Sequence, residues 1–301
     1  TNERFGTITA IGENSIAGFI PQEDGYKNLA NKVVGEMLTN MMGAVINDIG
    51  EIRCSANWMW SPKNDTNEAY SMYQTMKELS KLCCEFGFAI DGGKDSVSMY
   101  STATRLDDGI EETMFSPPTL TLTGYAMTME FNCRVTPDIK TAGSTLYFIP
   151  LINHNNFVWG GIAGTQFSHI LNLDGKIQNH NIRLNADYVS RVFKIVQALI
   201  AFGVISSLHD ISDGGLITTV LEMAFSGDIG LDIHDDKLSE QYKKLCLSEL
   251  WFCEGCGVVV EVEDVEISEF EIMMKDYENY PIATTKNEKG ITLYSGEDVI
   301  L

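Results

Sequence analysis

Residues 209–215 read His209-Asp210-Ile211-Ser212-Asp213-Gly214-Gly215, and the apolar run from Leu216 to Phe225 follows at once. A strand-like approach ends at Leu208, a polar loop turns, and a helix is predicted over 216–225. The two adjacent glycines supply the backbone freedom that a tight strand-to-helix turn needs. A helix start presents unpaired N–H groups and the positive end of a dipole, so phosphate is welcome there, and Asp210 is placed to bring a cation to it. A plainer reading fits the same residues: Ser212 or Asp213 is the N-cap of the helix and nothing more. Either way, strand, loop and helix in this order point to an α/β architecture.

The rest of the chain alternates in the same manner. Residues 5–20 are β-branched and glycine-punctuated, which predicts strand and turn. Over 25–49, Val34, Met37, Leu38, Met41 and Val45 recur at helical spacing and predict one long helix. Strand 52–60, helix 68–86, a short strand 88–91 running into Gly92-Gly93, and an alternating strand 119–130 follow. Pro137 and Gly143 mark residues 134–144 as a link, which divides the chain into expected domains 1–142 and 143–301. The second part is predicted to hold strand 145–151, a glycine-rich loop at 159–164, helix 185–202, the loop quoted above, strand 257–262, helix 266–277 and a terminal strand. No solenoid-type repeat is present.

On the helix over 25–49, Glu36 and Asn40 stand four apart and so lie one above the other, with Gly43 and Asn47 extending a stripe opposite the apolar one. A carboxylate stacked on an amide oxygen offers two hard donors on a rigid support, suited to Mg²⁺ when phosphate and water complete its shell. A face that merely meets water has the same periodicity.

Composition narrows the partners. The 42 acidic residues outnumber 21 basic ones, giving a formal charge of -21, and no Lys/Arg stripe exists to displace counterions from a nucleic acid. Any anionic ligand would need a divalent cation or helix N-termini to offset the carboxylates. No apolar run reaches the roughly 20 residues of a membrane helix, and no signal segment opens the chain, so a cytoplasmic location without membrane contact is expected. Seven scattered cysteines read as reduced thiols, and Cys253-Glu-Gly-Cys256 lacks the second pair that a zinc site needs.

Asp91-Gly92-Gly93-Lys94-Asp95-Ser96 departs twice from a Walker A loop, with Phe88 at the first glycine position and Asp95 after the lysine. Gly92 and Gly93 can still form a backbone nest with Lys94 as cationic partner for a nucleotide, although a turn with an exposed lysine fits equally. Gly160-Gly161-x-x-Gly164 is not a dinucleotide fingerprint, and no serine-hydrolase, zincin or EF-hand motif occurs. Trp58 and Trp60 are expected to pack, because no basic groove accompanies them.

Six runs, KVVGEMLTNMM (32–42), RCSANWMW (53–60), AIDGGKDSVSM (89–99), TPDIK (136–140), GGIAGTQ (160–166) and HDISDGGLITTVLEMAFSG (209–227), resemble in wording and order one family. That family is the large single-chain formylglycinamidine ribonucleotide (FGAM) synthases, also called FGAR amidotransferases, and specifically their second AIR-synthase-like (PurM-like) half. The D-x-S-D-G-G-L loop is shared more widely in the AIR-synthase superfamily, whereas SANWMW with DGGKDSVSM is narrower. The resemblance implies an AIR-synthase-like N-terminal α/β domain with a mixed sheet, followed by an α+β C-terminal domain. It implies ATP/ADP and Mg²⁺ as ligands, with Glu36, Asn40 and Asp210 on the metal and Ser212 on the nucleotide. The family reaction converts ATP, FGAR, glutamine and water to FGAM, ADP, phosphate and glutamate. The chain is expected to be one part of such an enzyme, without the first strand of its N-terminal domain, the first synthase repeat or the glutaminase domain, which would be its partners. An auxiliary, non-turning-over Mg-nucleotide site is the expected role of this half. A catalytic ligase module, another superfamily ATP-binding protein, and an unrelated α/β protein with solvated stripes are the alternatives.

Overall fold

The alternating Thr and Leu residues of 119–128 form β6 (Thr119–Thr128), which turns Leu120, Leu122 and Ala126 into the core while the intervening side chains face outward. In the computed structural model, which describes residues 5–15, 25–61, 66–152, 162–173, 182–243, 245–296 and 298–299, this strand is central to the first sheet. It pairs antiparallel with β1 (Gly6–Asn14) and β2 (Arg53–Met59), and β2 pairs parallel with β3 (Ala89–Ser96), in the order β1-β6-β2-β3. The helices α1 (Gly25–Met42) and α2 (Thr66–Phe86) pack beside it, and Trp60 is fully buried with its indole N–H donated to Ser71 Oγ at 2.8 Å. A small exposed hairpin, β4 (Tyr100–Thr104) and β5 (Glu111–Phe115), stands apart from the sheet.

Seven strands make the second sheet. They are β7 (Thr145–Pro150), β8 (Ser207–Asp210), β9 (Gly230–His234), β10 (Gly257–Val262), β11 (Tyr280–Lys286), β12 (Ile291–Ser295) and β13 (Asp298–Val299), ordered β13-β12-β9-β11-β7-β10-β8. All its pairings are antiparallel except β12 with β9. The helices of this half are α3 (Gln166–Ile170), α4 (Ala186–Phe202), α5 (Gly215–Gly227), α6 (Asp236–Gln241), α7 (Leu247–Trp251) and α8 (Ile267–Met274). Asn185 starts α4 by accepting the Tyr188 N–H at 3.0 Å, and Gly203 ends it in the left-handed region.

The larger of two apolar clusters joins the two sheets. Leu29, Val33, Met37 and Met41 of α1 share it with Val189 and Val196 of α4 and with Val258 and Val260 of β10. Buried Glu261 of β10 accepts the backbone N–H groups of Lys140 and Thr141, both at 2.9 Å, which ties these two residues to that strand.

Several expectations are corrected here. The first long helix stops at Met42 rather than 49, because the backbone beyond it is taken by other partners: Val45 N–H by Cys133 O, Ile46 N–H by Gln197 Oε1, and Ala44 O by Gln197 Nε2. The short strand after Phe88 continues through Gly92-Gly93 to Ser96, pairing with β2, so those glycines form no nest. Strand β8 extends to Asp210, the terminal strand is three strands, and β9, the β4–β5 hairpin, α6 and α7 had no sequence signal of their own. Residues 1–4 and 16–20 of the opening stretch, and Trp159, Gly160 and Gly161 of the glycine-rich loop, lie outside the described residues.

Candidate functional site

From Asn28 onward, α1 is buried on every side except at Lys32, Glu36 and Asn40. Its polar stripe is therefore no broad solvated face. Lys32 and Glu36 look into a cleft of about 260 Å³, closed by the end of β1 (Glu13, Asn14 and Ser15), the β8–α5 loop from Asp210 to Asp213, Gln166, and the turn at Glu254 and Gly255. The fold thus brings together Glu36, Asp210 and Ser212, which stand far apart in the chain.

Asn40 and Lys94 are not among the lining residues. Asn40 lies one turn further along α1, exposed, and donates its Nδ2–H to Ile11 O at 3.0 Å, so it fastens β1 to the helix. Lys94 sits on β3, the edge of the sheet opposite β1, where its exposed ammonium donates to Ser96 Oγ at 3.2 Å. Gly93, just before it, serves close strand contact, since a Cβ there would come within 2.5 Å of Ala56 O.

Negative charge dominates the cleft, which has Glu13, Glu36, Asp210, Asp213 and Glu254 against Lys32 alone among its lining residues. Burial pushes the Glu36 carboxyl up from 4.5 to about 7; the Glu13 N–H, donated to Glu36 Oε2 at 2.9 Å, opposes this, while Asp210, Asp213 and Glu13 add to it. Burial and then Asp213 also raise Glu13.

The loop after β8 is built without a side-chain cap. Gly214 is the N-cap of α5, with φ of +91°, and makes no side-chain cap bond, so Ser212 and Asp213 are not spent on capping. Only glycine holds that left-handed geometry cheaply. Ser212 instead donates its hydroxyl to Glu222 Oε2 at 2.5 Å, and Glu222 in turn lies 3.5 Å from His209 Nε2. His209 Nδ1 contacts Asp210 Oδ1 at 3.0 Å, so a chain of four polar side chains orients Asp210 and Ser212. His209 has its pKa raised: burial opposes the charged form, but the hydrogen bond to Asp210 and the Asp210 and Glu222 charges outweigh it.

Sequence reasoning missed Lys32, His209, Glu222, Glu254 and Glu13 as neighbours of the site. Lys32 was within reach of the same argument, being four residues before Glu36 on the same face. Glu254 was hidden inside the C-x-x-C spacing; its two cysteines are buried free thiols, and Cys256 packs so closely on Gly35 that a Cβ there would fall 2.2 Å from its Sγ.

A divalent cation fits this donor set in chemistry: the carboxylates are hard oxygen ligands, and both the burial that raises Glu36 and the lesser repulsion from its acidic neighbours are what a cation relieves. Among the described residues no group of three or more His, Cys, Asp or Glu is gathered tightly enough to hold a metal unaided. A cation held there would draw part of its coordination shell from a ligand and water.

Fold and cleft together define a two-sheet α/β protein with an acidic, oxygen-donor cleft where the halves meet. Residues 1–127 match the FGAR-AT PurM_N-like domain, and residues 141–295 match the C-terminal domain of AIR synthase related proteins. The chain belongs to the AIR synthase related family. It is 38% identical over 264 residues to the phosphoribosylformylglycinamidine synthase of Dictyostelium discoideum, an alignment covering 86% of this chain and 18% of that protein. In structure it resembles Thermotoga maritima PurL complexed with FGAR, with a TM-score of 0.72 at 12% identity, over 100% of this chain and 45% of the other. The same protein complexed with ATP gives 0.70 at 11% identity, over 99% and 43%. The chain spans about a fifth of the length of the curated relatives it matches. Among the described residues no helix is long and apolar enough to cross a membrane.

Proposed function

We propose that this chain is the second AIR-synthase-like repeat of an FGAM synthase, divided near residue 143, and that its acidic cleft holds a magnesium-bound ATP or ADP. The observation that carries the reading is the convergence of Glu36, Asp210 and Ser212 on one cavity, with the Glu36 carboxyl pushed up by burial and, beyond that, by the neighbouring carboxylates. Glu36 and Asp210 would hold the cation, and Ser212, oriented by Glu222, would meet the nucleotide. Bound there, Mg²⁺ would supply charge neutralisation between carboxylates and polyphosphate. Asn40 belongs to this set only through a rotamer that releases Ile11 O.

Within the whole enzyme, the reaction proposed is ATP-dependent conversion of FGAR and glutamine to FGAM, ADP, phosphate and glutamate. The first synthase repeat and the glutaminase domain would be partners of this half, in the cytoplasm. The similarity to the Dictyostelium synthase over most of this chain supports that assignment. The role of this repeat is to hold its nucleotide without turnover.

Asp210→Asn should weaken Mg-ADP binding at least about tenfold, some 1.4 kcal/mol, because it removes a charged donor while keeping the side chain's size. Calorimetric titration with Mg-ADP measures this, and an unchanged affinity would remove the cleft as the nucleotide site. Hydrolysis of ATP dependent on FGAR and ammonia, lost in Asp210→Asn while the first repeat is intact, would make this half catalytic instead.

A further inference from the structure

The carboxylate of Glu254 is set between two separate segments of the cleft wall. Its Oε1 accepts the N–H of Gln166, the first residue of α3, and the N–H of Gly214, the N-cap of α5, each at 2.8 Å. One oxygen therefore fastens the start of α3 to the loop that carries Asp210 and Ser212. Thr165, next to Gln166, is already occupied in capping α3 through the Ser168 N–H at 3.2 Å, so it does not replace that acceptor. Gly214 has no side-chain cap of its own, and Glu254, forty residues along the chain, supplies the acceptor. The turn bearing Glu254 is itself immobilised by Cys256 against Gly35 of α1, one residue before Glu36. A continuous path of contacts thus runs from α1 through Gly35, Cys256 and Glu254 to the loop after β8.

We infer that Glu254 is a positioning residue, whose single acceptor oxygen sets the distance between the Asp210–Ser212 loop and Glu36 and so the affinity of the cleft for a magnesium-bound nucleotide. This rests on the nucleotide reading of the cleft given above. What matters in it is the placement of one oxygen acceptor rather than the negative charge. Burial raises the Glu254 carboxyl and Asp213 adds to this, whereas Lys32 and the N–H groups of Gly214 and Gln166 oppose it, so the two hydrogen bonds that hold the loop also offset the burial of the carboxylate.

Two conservative changes separate acceptor from charge. Glu254→Gln keeps an Oε1 at the same reach and removes the charge; Glu254→Asp keeps the charge and withdraws the oxygen by one methylene. Mg-ADP affinity by calorimetry and the thermal midpoint without ligand would be measured for both, beside Asp210→Asn. We expect Glu254→Gln to bind within threefold of the parent chain and Glu254→Asp to bind at least tenfold more weakly, at a temperature where both are folded. Parent-like binding by Glu254→Asp, or a loss in Glu254→Gln as large as in Glu254→Asp, overturns the inference while Asp210→Asn still binds weakly. If Asp210→Asn binds like the parent, the nucleotide reading fails, and this inference with it.

Discussion

Glu36→Gln is expected to make the protein more stable at pH 8 while weakening its hold on Mg-ADP. The carboxyl of Glu36 titrates at about 7 in the folded chain against 4.5 for an unhindered glutamate, so the folded state binds a proton more tightly than the unfolded state does. Stability tied to this group is fully present below about pH 4.5 and is lost as pH rises through about 7. The full shift corresponds to an upper bound of about 3 kcal/mol, and partial solvent access and salt reduce this, so a gain of about 1–2 kcal/mol for the neutral variant at pH 8 is expected. Glutamine retains an oxygen that accepts the Glu13 N–H, now accepted at 2.9 Å, so little is lost in exchange. Urea unfolding at pH 5 and pH 8 without divalent cations tests this: the two proteins should differ at pH 8 and converge toward pH 5. Equal stability at pH 8 would mean that neither burial nor the neighbouring carboxylates penalise the ionised Glu36. Such a gain in stability with a loss of binding is the behaviour of a residue kept for a ligand rather than for the fold.

Gly12→Ala is expected to destabilise the chain by about 3 kcal/mol or more. A Cβ at this position would lie 2.0 Å from Val33 O and 2.7 Å from Met37 N, backbone atoms joined within the hydrogen-bond ladder of α1. A flexible side chain could move aside, but a helix backbone cannot do so without giving up its own bonds. Strand β1 must therefore lift away, which breaks the Glu13 to Glu36 and Asn40 to Ile11 hydrogen bonds and opens one wall of the cleft. Thr9→Ala, at an exposed position of the same strand, should stay within about 0.5 kcal/mol of the parent. The midpoint of thermal unfolding and Mg-ADP titration together check the prediction. A Gly12→Ala chain as stable as Thr9→Ala would show that β1 is not seated on α1 in this way.

The residues that were easy to read have roles that are local. Val34, Met37, Leu38 and Met41 recur at helical spacing and are buried, and Leu120, Leu122 and Ala126 alternate and are buried, because each pattern repeats within one element. The end of α1 was harder: the chain carries apolar residues at helical spacing to Val45, yet Gln197 and Cys133 claim the backbone that another helical turn would have used. Lys94 looked like a phosphate partner beside two glycines, but strand pairing put it at the far edge of the sheet.

By itself the sequence determined the α/β order of elements, the family wording of its motifs, and the stacking of Glu36 on one face of its helix, since all of these depend on spacings of a few residues. Only the tertiary structure decided that the face is a cleft wall rather than a solvated stripe, that Asp210 and Ser212 meet Glu36 there, and that Glu254 rather than Ser212 or Asp213 takes the Gly214 N–H. Those outcomes depend on which surfaces pack together, and packing joins residues that no local periodicity relates.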